Sequence, residues 1–289
     1  MGRLIEVADT KLYVDERGEP SAFPLLVFHG GPGIDHTSFA DYLDPLTEGG
    51  KYRLVLVDER ACGRSDRTAP VQTWTLERMV QDVSDLAASL NVSDGYATLG
   101  HSYGAFVVLQ HAVSYPGEPR GTIVSAGIAA ARWLAGVERA LAAFEPADLR
   151  EQVAASLALE TEVRTEAEAN ALMTDQMPFH FRDPRGQPLA DYLRKTAGHA
   201  RYAPDVIRHF AARDYGAIDV EDRLGEATHP VLVLAGRHDR ICPAAASEDM
   251  ASRLPDAELV VFENSAHMTF VEEQDRYLAV VRQFLDRIT

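Results

Sequence analysis

Ser102 stands between two glycines in Gly100-His101-Ser102-Tyr103-Gly104, a G-x-S-x-G pattern. The pattern directly follows an apolar run ending at Leu99 and directly precedes a helix-patterned run. A serine on so sharp a strand-to-helix turn is lifted clear of the backbone and sits at the positive end of the helix that follows, as a nucleophile must. A serine hydroxyl is a weak nucleophile at neutral pH and needs a base beside it, itself oriented by an acid. Chain order after such an elbow is serine, acid, histidine. The acid expected here is Asp239, in Gly236-Arg237-His238-Asp239 after the apolar run Val231–Ala235. The base expected is His267, in Asn264-Ser265-Ala266-His267 after the run Leu259–Phe262. His238 competes with the acid–base pair but reads better as a solvated loop histidine, and His101 as a ring packed against neighbouring loops.

His29-Gly30-Gly31-Pro32-Gly33 follows another apolar run. Glycines there let backbone N–H groups approach a developing oxyanion, and the donors expected are the N–H groups of Gly31 and Tyr103. Neither G-x-x-x-x-G-K-[ST] nor G-x-G-x-x-G is present, so the loop does not read as a phosphate cradle. The remaining histidines lack metal-ligand spacing, and no metal or cofactor is expected. The paired acids Glu272-Glu273 read as a solvated helix face rather than a glycosidase pair.

These loops need a scaffold that presents them on one side. Leu25–Phe28, Leu54–Val57, Tyr96–Leu99, Thr122–Val124, Val231–Leu234 and Leu259–Phe262 are nearly continuous apolar runs, which predicts a mostly parallel sheet buried on both faces. Helix-patterned stretches, Leu76–Leu90 and Phe106–Tyr115, alternate with them, giving an α/β fold. Leu4–Val7 and Lys11–Val14 read as an antiparallel hairpin at the sheet edge. From Ala129 to Asp222 the rhythm changes to helix patterns: Arg132–Phe144, Asp148–Leu159, Glu166–Met177, Leu189–Thr196 and Ala203–Ala212, with Pro178, Pro184 and Pro188 between them. The expected division is a core at 1–128 and 223–289 with an inserted helical cap at 129–222, lying over the carboxyl ends of the strands.

At 289 residues the chain can bury one sizeable core beside such a lobe. A net charge of −16 argues against nucleic acid and anionic membrane surfaces, which are bound through clustered Lys and Arg. No apolar run reads as a signal peptide or membrane span, and the partner expected is a small-molecule substrate. Cys62 and Cys242 form neither a CxxC pair nor a disulfide framework, which suits the cytoplasm. Oligomeric state has no signature.

The motifs His29–Gly33, Asp58-Glu59-Arg60-Ala61-Cys62-Gly63-Arg64-Ser65 and Gly100–Gly104 resemble the prolyl aminopeptidase (proline iminopeptidase) branch of the α/β-hydrolases. The resemblance implies the α/β-hydrolase fold, a serine acyl-enzyme mechanism without cofactor, and a helical cap over the substrate. The second motif of that family typically reads DQRG-x-GRS; here Glu59 replaces the glutamine and Ala61 the first glycine, and Asp58, Arg60, Gly63 and Ser65 are expected to buttress the loops. The family also implies acids that grip the substrate's α-amino group, one directly after the catalytic Asp and one late in the cap. This chain has Arg240 at the first position and Arg208 near the second, with Asp205 and Asp214 close by. An arginine repels an ammonium group. The expectation is therefore a serine hydrolase of small esters, lactones or amides, with prolyl aminopeptidase activity the alternative. His29, Gly30, Trp133, Phe179, Phe181, Arg208 and Arg240 are the candidates for substrate contact. A C–C bond hydrolase, a cofactor-independent lyase or a non-catalytic small-molecule receptor would need the same scaffold.

Overall fold

The structure, a computed structural model, describes residues Gly2–Thr289. Its centre is an eight-stranded sheet: β1 (Gly2–Val7), β2 (Thr10–Arg17), β3 (Phe23–Phe28), β4 (Tyr52–Asp58), β5 (Ala97–His101), β6 (Gly121–Ser125), β7 (Val231–Gly236) and β8 (Ala257–Phe262). The spatial order is β1-β2-β4-β3-β5-β6-β7-β8. β1 pairs antiparallel with β2, and β2 with β4, whereas every pairing from β4 to β8 is parallel.

Successive strand side chains point to opposite faces, so a strand covered on both sides must be apolar at every position. β3 shows this directly. Leu25 and Val27 belong to the hydrophobic cluster on one face, Leu26 and Phe28 to the cluster on the other. The first cluster is closed by the C-terminal helix, the second by α1 (Leu76–Ser89) and α2 (Tyr103–Ser114). Thr75 caps α1 by accepting the Arg78 N–H at 3.2 Å, and its apolar stripe, including Met79, Val83 and Leu86, is buried. α2 is apolar nearly all round because it is buried nearly all round.

Between β6 and β7 the described residues form helices and one isolated bridge, Ala130 with Asp219. The helices are α3 (Val137–Ala142), α4 (Ala147–Ala158), α5 (Glu166–His180), α6 (Gln187–Thr196) and α7 (Pro204–Ala211). Two details differ from the sequence pattern. The stretch expected as one helix from Arg132 is a 3-10 turn to Gly136 followed by the short α3. Pro178 does not stop α5, which runs on to His180 before Phe181 turns extended. Proline removes one N–H from the ladder, and in a last turn only one intrahelical bond is forfeited before the helix ends anyway. After β7 come α8 (Ala244–Arg253), and after β8 a short α9 (Thr269–Glu272) and α10 (Gln274–Ile288). No helix among the described residues is long and apolar enough to cross a membrane.

Candidate active site

Ser102 occupies the turn between β5 and α2 with φ 55° and ψ −116°, a backbone region that side chains other than glycine rarely adopt. Its neighbours explain the glycines. A Cβ on Gly100 would lie 2.0 Å from the Gly104 carbonyl oxygen, and one on Gly104 would lie 2.4 Å from that of Phe28. The turn therefore closes only with hydrogen at both positions. Ser102 N–H remains tied to the Ser125 carbonyl at 2.9 Å, so the elbow is anchored in the sheet.

Asp239 follows β7 and His267 follows β8, both at the carboxyl edge where Ser102 emerges. Asp239 Oδ2 lies 2.8 Å from His267 Nδ1, and its Oδ1 accepts the N–H groups of Ile241 (2.8 Å) and Cys242 (2.9 Å). Both residues are buried, with 7% and 2% of their surfaces exposed. A carboxylate so satisfied holds the imidazole with its proton on Nδ1 and leaves Nε2 free to act. Ser102 and His267 line one cavity, and no hydrogen bond between their side chains is closed among the described residues.

The His29–Gly33 loop, expected to supply an oxyanion donor, is locked from behind. His29 is fully buried; its Nδ1 lies 2.7 Å from the Gly30 carbonyl oxygen and its Nε2 accepts the Glu59 N–H at 3.2 Å. Those partners require the neutral ring with its proton on Nδ1, and burial, which lowers the His29 pKa, favours the same form. Because the peptide is planar, fixing the Gly30 carbonyl toward His29 sends the Gly31 N–H to the opposite edge, as an oxyanion donor requires. Tyr103 opens α2 and so contributes an N–H that a helix start leaves without an intrahelical carbonyl; those of Gly104 and Ala105 are taken by His29 O (2.9 Å) and Ser102 O (3.0 Å).

The cavity measures about 230 Å³ and is largely apolar, walled by Ile34, Leu134, Val153, Met173, Met177 and Phe270 among others. Gly30 and Phe179 belong to its wall, as expected, but other candidates do not. Trp133 faces away and donates its indole N–H to Glu221 (2.9 Å). Phe181 packs in the sheet core against Tyr192. His29 supports the loop rather than meeting the cavity. Arg208 is spent on the Val163 carbonyl and Asp205, and Arg240 on the carbonyls of Phe179 (3.1 Å) and Phe181 (2.7 Å). Neither guanidinium lines the cavity, and both are held by partners outside it.

Several residues of the site escaped the sequence reading. Glu160, from the turn after α4, is buried in the cavity wall and accepts from Gln176 Nε2 (2.8 Å) and from the Tyr215 hydroxyl. Burial raises its pKa. Tyr215 is held in a run of positive φ angles, 46° at Asp214, 51° at Tyr215, 86° at Gly216 and 49° at Ala217, strain of the sort that collects at functional sites. His180 and His101 flank His267, with ring centroids 5.3 and 4.9 Å away. Glu272 and Glu273, read as a solvated face, instead accept backbone N–H groups: Arg182 and Ala266 for Glu272, Asn264 for Glu273. The expected buttresses are in place: Asp58 accepts from His36 N–H (2.9 Å) and Arg64 N–H (2.7 Å), and Arg60 is buried in a two-pronged pair with Asp82. Cys62 and Cys242 are free and buried, the latter at the cavity wall.

Residues 24–274 match the α/β hydrolase fold family. The chain belongs to that family and is one of its hydrolytic enzymes. It is 28% identical over 281 residues to the proline iminopeptidase of Heyndrickxia coagulans, covering 95% of this chain and 93% of that one. Among solved structures it resembles an alpha/beta fold family hydrolase from Bacillus anthracis str. Sterne (TM-score 0.80, 22% identity, 100% and 99% of the two chains). It also resembles an esterase from Exiguobacterium antarcticum (TM-score 0.76, 22% identity, 99% and 100% of the two chains).

Proposed function

We propose that the protein hydrolyses a small carboxylic ester, lactone or amide through an acyl-enzyme on Ser102. The observation that carries this reading is the buried Asp239–His267 pair opening onto the same apolar cavity as the strained Ser102 elbow. His267 Nε2 takes the Ser102 proton as Oγ attacks the substrate carbonyl, and Asp239 stabilises the imidazolium that forms. The Gly31 and Tyr103 N–H groups hold the oxyanion. His267 then protonates the leaving group, which departs, and draws a proton from the water that releases the acid. No cofactor is required. The helices at 129–222 act as a cap whose inner wall packs the acyl group. The free thiols fit a cytoplasmic setting.

Glu160 favours a second reading, the release of an N-terminal residue such as proline, as in the iminopeptidase relatives. A carboxylate in an apolar wall gains most from a cationic ligand group. Initial rates on a short-chain p-nitrophenyl ester, proline p-nitroanilide and its N-acetylated form decide between them, with Ser102→Ala as control. Turnover of the ester alone, lost in Ser102→Ala, supports the first reading. Preference for the free amine, lost on N-acetylation and in Glu160→Gln, supports the second. Turnover that survives Ser102→Ala would refute both.

A further inference from the structure

Arg240 directly follows Asp239, and its side chain, which does not line the cavity, reaches the end of α5. Nη1 donates to the carbonyls of Phe179 (3.1 Å) and Phe181 (2.7 Å), and Nη2 to that of Arg182 (3.4 Å). The guanidinium also lies 4.8 Å from the Phe144 ring centroid and 5.8 Å from that of Phe179. The carbonyl left over in this run, that of His180, accepts the backbone N–H of His267 at 3.0 Å. Four consecutive carbonyls, residues 179–182, are thus held by the two loops that carry Asp239 and His267. The tie is returned: Arg182 N–H donates to Glu272 Oε1 (2.7 Å), whose Oε2 accepts the Ala266 N–H next to His267 (2.7 Å).

The final carbonyls of a helix have no intrahelical donors, and a cation at that end is favoured by the helix dipole. A guanidinium carries its donors in a rigid planar fork and can hold several carbonyls while stacking on a ring; an ammonium group is a single point. Asp239 itself is fixed by its own loop, through the Ile241 and Cys242 N–H groups. Whatever fixes that loop fixes the carboxylate against His267.

We infer that Arg240 is a positioning residue for the acid–base pair, joining the Asp239 loop to the end of α5 so that helix and pair hold one register. Arg240 does not touch substrate. The inference rests on the proposed roles of Ser102, Asp239 and His267. Because Met173, Gln176, Met177 and Phe179 of the same helix line the cavity, an acyl group packed against α5 also steadies the pair. Binding energy used in this way appears in kcat rather than KM.

The test is steady-state kinetics on p-nitrophenyl acetate and butyrate with wild type, Arg240→Ala, Arg240→Lys and Ser102→Ala, counting active enzyme by fluorophosphonate titration. Arg240→Ala is expected to lower kcat about ten- to a hundredfold, with KM moving by no more than about threefold. Arg240→Lys falls between the two. The low-field proton resonance of His267 Nδ1–H is expected to broaden or move in Arg240→Ala while the far-ultraviolet dichroism stays that of wild type. A purely structural Arg240 would lower yield and melting temperature but leave kcat per titrated site and the resonance unchanged, which overturns the inference. So does a raised KM at constant kcat, since that marks a substrate contact. Activity surviving in Ser102→Ala would instead remove the triad reading on which the inference stands, so the two failures are told apart.

Discussion

Replacing Glu59 with glutamine should stabilise the protein progressively as pH rises, and the slope can be worked from the structure. Glu59 is 3% exposed, and neither carboxyl oxygen has a hydrogen-bond partner among the described residues. Burial, aided by the nearby carboxylates of Asp58 and Asp82, pushes its pKa well above the ordinary 4.5. Below 4.5 folded and unfolded chains both hold the proton. Above it the unfolded chain releases the proton while the folded chain keeps it, so stability falls with rising pH until the folded carboxyl ionises. The fall is about 1.4 kcal/mol per pH unit for as long as only the unfolded chain is ionised. Glutamine keeps the shape, carries no titration, and is the residue typical of the family motif that this chain resembles. Partners for its amide hydrogens set a constant offset between the variants but not the slope. Urea unfolding of both proteins at pH values of about 5, 6 and 7, followed by tryptophan fluorescence, measures the difference. Parallel stability-against-pH lines would refute the reasoning, because they require Glu59 to be ionised in the fold.

A Cβ on Gly30 would lie 3.1 Å from Ser102 Cβ and 3.5 Å from the His101 carbonyl oxygen. Gly30→Ala is therefore expected to lower kcat/KM about tenfold or more by displacing the oxyanion loop, with a melting temperature within a few degrees of wild type; equal activity would count against the loop's role. Glu272 has its pKa raised to about 7, chiefly by burial and against the two N–H groups it accepts. A carboxyl carbon titrating near pH 7 should be visible by NMR in wild type and absent in Glu272→Gln. Because that pKa is raised, wild type should lose stability relative to the variant between the ordinary 4.5 and about 7.

How much could be read in advance differs by kind of interaction. Strands buried on both faces announce themselves as apolar runs, so Leu54–Val57 and Val231–Leu234 mark β4 and β7 within a few residues. β5 runs past the expected Leu99 to His101, since Gly100 and His101 do not read as apolar although His101 still pairs with Ser125. The expected acid–histidine contact closes, because both residues directly follow their strands and the sheet order leaves them adjacent. Contacts made to backbone carbonyls were not legible. Nothing in Phe179–Arg182 marks four carbonyls as the partners of residues some sixty to ninety positions on, so Arg240 reads as a substrate ligand when it is a tie. Glu160 likewise resembles any acid at a helix end until the strained turn at Tyr215 brings a hydroxyl to it.

Electrostatics supports the proposed choice of base among four imidazoles. His29, His101, His180 and His267 all stand in or behind the cavity, and sequence order alone singles out His267. Burial lowers the pKa of the first three, that of His180 to about 4, and charge on the neighbouring His267 ring adds to the effect on His101 and His180. Their ring nitrogens meet neutral partners: the Gly30 carbonyl for His29, the Ser125 hydroxyl for His101 and the Gln176 carbonyl for His180. Of the four, His267 has a ring nitrogen hydrogen-bonded to a carboxylate oxygen, so under the proposed mechanism a proton taken from serine acquires a counter-charge there. Burial lowers the pKa of the two rings beside it, so they add no competing cation to the proposed pair. That asymmetry would vanish if His180 or His101 gained a carboxylate partner, which would raise its lowered pKa again.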